Sequence, residues 1–190
     1  MKVRIAAILS AALLGSACSG ISVNQDFNPA TDFSGLRTWD WMAAGNRPSG
    51  DPRADNAIVD QRIRSAIEAG MQEKGFTKAQ SGEPNFRVGY QVILDDRVDY
   101  QTVNDYYGPG WGYRGVYGGY YGPTMATSQT TARAYTMGTL VIDFFDVGSH
   151  ELVWRGSAEG KLHENTDPVK RQERINEAVE KTLAQFPPKR

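Results

Sequence analysis

MGTLVIDFFDVGSHELVWRGSAEG, residues Met137 to Gly160, reads as a β-hairpin and sets the fold class. Thr139–Phe145 and Leu152–Ala158 are rich in β-branched and aromatic residues, the types that suit a pleated, half-buried surface. Asp146-Val147-Gly148-Ser149-His150 between them supplies a five-residue turn. Period two places Leu140, Ile142 and Phe144 on one face of the first strand. It places Leu152, Trp154, Gly156 and Ala158 on one face of the second. Thr139, Asp143, Arg155 and Ser157 fall on the opposite faces, and Asp143 is expected to pair with Arg155 across the hairpin.

Outward from this hairpin the chain supplies further strands and two helices. Ile21–Phe27 alternates as a strand and Asn28–Asp32 closes it with turn formers. Thr38–Trp41 is a second strand, and Asn85–Leu94, with Phe86, Val88, Tyr90 and Val92 alternating, is a third. The first helix is expected from Ala54, behind Asp51 as N-cap and Pro52 in the first turn. Its apolar face is Val59, Ile63, Ala66, Ile67, Gly70 and Met71, and Gly75 is the left-handed stop. Asp167 caps the second helix, Pro168 to about Gln185, with Ile175, Val179, Leu183 and Phe186 on one face. Pro187-Pro188 ends it. The expected fold is a two-layer α+β domain, a largely antiparallel sheet with both helices on one face.

The stretch from about Asp96 to Ser128 stands apart. Between Tyr106 and Pro123 it is mostly glycine and tyrosine, with one tryptophan and no aliphatic residue except Val116, a composition that cannot fill a core. It reads as a loop joining two strands. It also reads as an aromatic contact surface for a partner, a glycan or a membrane interface, presented by Tyr106, Tyr107, Trp111, Tyr113, Tyr117, Tyr120 and Tyr121.

The N-terminus states an address. Lys2 and Arg4 precede an apolar run, Ile5–Leu14, that is too short to span a bilayer. Leu14-Gly15-Ser16-Ala17-Cys18 resembles the lipobox of bacterial lipoproteins, with Leu one place early and Gly15 in its position. The resemblance implies that residues 1–17 are a signal peptide and that Cys18 is diacylated. Residues 18–190 would then be one lipid-anchored domain. Acyl chains, at about 0.8 kcal/mol per buried methylene, would hold it on a membrane. Ser19 after the cysteine, in place of Asp, points by the same resemblance to the outer membrane, with the domain facing the periplasm.

Charge and residue types remove several classes of function. The chain carries 21 Lys and Arg against 22 Asp and Glu, and without residues 1–17 the balance is 19 against 22. That is no footprint for nucleic acid. Cys18 is the single cysteine, so no intrachain disulfide forms. His150 and His163 fall in no zinc spacing, and Gly110–Gly115 matches GxGxxG without a strand before it or a helix after it. No nucleophile elbow is present. The chain is expected to be non-catalytic, with no cofactor and no metal.

Taken in order, several segments resemble the bacterial lipoprotein family catalogued as Domain of Unknown Function 4136. They are Asp32–Trp41, Lys74-Gly75-Phe76, Pro84–Val88, Gly138–Asp143, Leu152–Gly156 and Ile175–Pro188, behind the lipobox. The similarity runs from about Ile21 to Pro188. Where such families commonly have Asp after the proline of the third strand, this chain has Asn85. The resemblance implies an envelope lipoprotein and no activity. Its domain is expected to bind a partner or support envelope assembly, the alternative being a small apolar or glycan ligand held between helices and sheet.

Overall fold

The computed structural model describes residues 20–42, 48–106, 126–163 and 167–189. Six strands form one sheet: β1 (Ile21–Phe27), β2 (Thr38–Trp41), β3 (Thr77–Lys78), β4 (Phe86–Tyr106), β5 (Ala126–Asp146) and β6 (Leu152–Leu162). Their order is β1-β6-β5-β4-β2-β3. All pairs are antiparallel except β2 with β4 and with β3, which are parallel. Two helices, α1 (Ala57–Glu73) and α2 (Pro168–Leu183), pack on the sheet and on each other, so the α+β expectation holds.

The helix ends follow local chemistry. Asp167 caps α2, its Oδ1 accepting from the Val169 N–H at 2.9 Å, with Pro168 in the first turn. α1 begins later than its sequence suggests. Asp51 accepts from the Arg53 N–H and closes a separate turn, and Asn56 is the N-cap, accepting from Val59 N at 3.0 Å. The Asp-Pro signal was therefore spent on a turn three residues ahead of the helix. Gly75 stops α1 with φ +83°, a conformation that suits glycine.

The hairpin β5–β6 carries the core as expected, with one correction. Phe144 pairs with Trp154 and Phe145 with Leu152, so Val153 is the extra residue of a bulge. The bulge breaks the period-two count. Val153 turns inward at 2% exposure while Leu152 stays 38% exposed on the outside. On the opposite face Arg155 donates to both oxygens of Asp143 at 2.6 and 2.7 Å, as the cross-strand pairing requires.

The second correction concerns the range 96–128. β4 continues to Tyr106 and β5 begins at Ala126, in unbroken register from Phe86↔Asp146 to Tyr106↔Ala126. Asp95–Tyr106 and Ala126–Met137 contain no glycine or proline, so nothing interrupts the ladder, and ladder hydrogen bonds need no core. The part from Arg97 and Tyr135 outward runs past the Thr136–Leu162 pair, where β6 ends. Those ten residue pairs form a two-stranded arm, roughly 30 Å long at the usual rise. Val98 and Tyr100 on it are 50% and 69% exposed.

Candidate functional site

Side-chain size on the helix-facing side of the sheet falls steadily along the strands. The row Val88, Phe144 and Trp154 is fully buried. Next come Tyr90, Ile142 and Gly156, then Val92, Leu140 and Ala158, and finally Leu94, Gly138 and Gly160. At the large end the core is aromatic. Phe186, just past α2, touches Phe144, Trp154, Phe76, Phe33 and Phe86 at centroid distances of 4.6 to 6.2 Å. Gly156 is required there, because a Cβ would stand 2.4 Å from the Trp154 ring and 2.5 Å from Thr182. Gly70 serves the helix pair in the same way, lying 2.8 Å (as a virtual Cβ) from Leu183.

At the small end the helices stand over a floor that cannot reach them. The result is a cleft of about 640 Å³. Val92, Leu94, Leu140 and Ala158 form an apolar floor, with Gly138 and Gly160 paired directly beneath the mouth. Val59 and Ile63 of α1 and Ile175 and Ala178 of α2 are the walls. Leu162 and Arg174 reach over the two glycines; the Arg174 Nη2 donates to Lys161 O at 3.1 Å. Such a volume, mostly apolar with a few polar groups converging, is the usual form of a small-molecule site.

The mouth is cationic. Arg53, Arg62, Arg171 and Arg174 line it, and among the described residues Glu159 is the one carboxylate in the lining. Arg53 is clamped, donating to Asp51 and to Asp96. The Arg53 hydrogen bond, and after it one from Thr136, holds the Asp96 carboxyl below the usual carboxylate range. Glu159 is engaged by Arg97 at 3.3 Å. Arg62 is half-buried and makes no hydrogen bond or ion pair among the described residues.

Beside the cleft a polar chain ties α1 to the sheet edge. Tyr90 Oη and Arg64 donate to Asp60, Arg64 lies 4.5 Å from the Trp41 ring centroid, and Trp41 Nε1 and Lys78 donate to Glu68. The Lys78 hydrogen bond, then that from Trp41, lowers the Glu68 carboxyl from its ordinary value. Every member has a partner, so this chain is a brace for the helix.

The residues expected from sequence to form a site are placed as follows. Tyr106 ends β4 at the tip of the arm. Cys18, Tyr107, Trp111, Tyr113, Tyr117, Tyr120 and Tyr121, and the GxGxxG match, lie outside the described residues. His150 sits exposed in the β5–β6 turn and His163 at the cleft mouth, in separate parts of the molecule. Asn85 uses its Oδ1 alone, accepting from the N–H groups of Arg37 and Thr38 and from the Thr38 hydroxyl. A carboxylate could make the same three bonds. The position is a strand cap, and the departure from Asp removes no charge that this role needs. Val59, Ile63, Val92, Leu140, Ala158 and Ile175 are legible from sequence only as apolar faces, although the alternative of a ligand between helices and sheet names their place.

The family model described as Domain of unknown function (DUF4136) matches residues 23–188. No curated protein matches the chain. Among solved structures, a PDZ domain protein from Parabacteroides distasonis is similar at 13% identity and a TM-score of 0.52. That match covers 90% of this chain and 37% of the other, so the present chain spans little over a third of that relative. The PelC dodecamer from Paraburkholderia phytofirmans is similar at 10% identity and a TM-score of 0.45, over 90% of this chain and 99% of that one. At such identities the likeness concerns the fold alone.

Proposed function

We propose, from the premise that this chain belongs to the Domain of unknown function (DUF4136) family, that it is a non-catalytic binding module holding a small apolar or amphipathic ligand in its helix–sheet cleft. The cleft itself carries this reading, an open apolar space of about 640 Å³ beside an otherwise filled aromatic core. A neutral apolar fluorophore such as N-phenyl-1-naphthylamine should bind one to one and brighten. Leu94→Trp, which fills the floor from a half-buried position, should abolish that binding while leaving the unfolding midpoint within a few degrees of the parent. Retention of full dye binding by a folded Leu94→Trp protein would place the dye elsewhere and remove the basis for the reading.

In this account the module works at a membrane, tethered through Cys18 on the periplasmic side of the outer membrane. The support is the Leu14–Cys18 lipobox resemblance. Cys18→Ser should move the protein from the membrane to the soluble fraction and remove the acyl mass from its N-terminus. A wild-type mature terminus without acyl mass would end the anchor hypothesis.

A second reading gives the arm a contact role, because a two-stranded ribbon with both faces in water is only marginally stable by itself. Replacing Tyr106–Pro123 with a short Gly/Ser linker should then abolish co-purification of an envelope partner and leave dye binding and folding intact. Loop-closure cost changes by only about 0.6 kcal/mol per doubling of length, so stability should barely move. Unchanged co-purification would remove the arm from the account.

A further inference from the structure

We infer that the cleft selects an anionic amphiphile, one hydrocarbon chain on the floor and a carboxylate or phosphate head at the Arg62 guanidinium; this rests on the cleft being a ligand site. Two independent observations carry it. The floor of Val92, Leu94, Leu140 and Ala158 offers an apolar tail contact and no charge. Among the described residues the mouth is lined by four arginines and Glu159, with Arg53 held by Asp51 and Asp96. Arg53 and Glu159 are already satisfied by Asp51, Asp96 and Arg97. Arg62 is different. It is half-buried on α1 beside Ile63, and its guanidinium has no partner among the described residues. A guanidinium presents N–H donors in a fork that matches carboxylate and phosphate oxygens two at a time. In that half-desolvated position an anion is the ligand that would satisfy it.

The test is calorimetric titration of the purified full chain with decanoate, decyl phosphate, decanol and decyltrimethylammonium, all below their micelle concentrations. Decanoate or decyl phosphate should bind at least tenfold more tightly than decanol, and the cationic analogue should bind more weakly still. Which anion is tighter tells a fatty acid from a phosphate-headed lipid. Arg62→Ala and Arg62→Glu should each lose at least tenfold for the anions and keep the unfolding midpoint within a few degrees of the parent. Equal affinity for anion, alcohol and cation with the dye still bound would overturn the anionic assignment while the cleft stands. Absence of dye binding as well would overturn both.

Discussion

Trp154→Ala is expected to destabilise the domain by about 3–5 kcal/mol, a large part of the total stability of most domains. The indole is fully buried, packed on Phe144 at 4.8 Å and on Phe186 at 5.2 Å between ring centroids. Its ring edge occupies the space that a Cβ on Gly156 would need. Truncation would leave a cavity that cannot collapse, because its ring neighbours Phe144 and Phe186 are held from β5 and the end of α2. It would also remove the hydrogen bond that the indole Nε1 donates to Gln25 Oε1 at 3.0 Å across the β1–β6 pair. Urea titration gives the value directly. A loss below about 1 kcal/mol would mean that the ring is not the centre of the core.

Phe186→Ala should cost a similar amount, about 3–5 kcal/mol, by a different route. Phe186 is 1% exposed and meets five other aromatic rings, joining β4, β5 and β6 to the segment around Phe33. Its carbonyl accepts from Lys74 Nζ at 2.9 Å, which ties the end of α2 to the end of α1. Losing the ring should loosen the C-terminal turn as well as the core. Trp154 and Phe186 share one packing volume, so the double variant should cost less than the two single losses added together. Strict additivity would show that the rings act independently, contrary to the packing described.

The sequence made the core legible and left the site almost hidden. Alternation in Leu140–Phe144 and helical spacing in Ile63–Met71 and Ile175–Leu183 report burial, because each position must face one neighbour layer. What periodicity cannot report is a count that changes midway. The bulge at Val153 reversed the facing of Leu152 with no glycine or proline to announce it. The arm was lost for a related reason. The glycine–tyrosine composition belongs to Tyr106–Pro123, but the loop expected from it spans about 96–128 and so takes in residues that form a ladder, Asp95–Tyr106 pairing residue for residue with Ala126–Met137. The cleft depends on relations between three strands and two helices. Gly138 and Gly160 lie on different strands, and only their pairing in the sheet makes them a floor. Arg62 lies next to a core position on its helix and carries no signal in one sequence.

The most direct test of the cleft as a binding site is methyl-resolved NMR of the chain titrated with decanoate. The account predicts large shift changes for the methyl groups of Val59, Val92, Leu94, Leu140 and Ile175, which line the cleft. Ile67, Val179 and Leu183, buried in the filled core, should move little. Shifts confined to the arm, or a titration that leaves the cleft methyls unmoved, would contradict it.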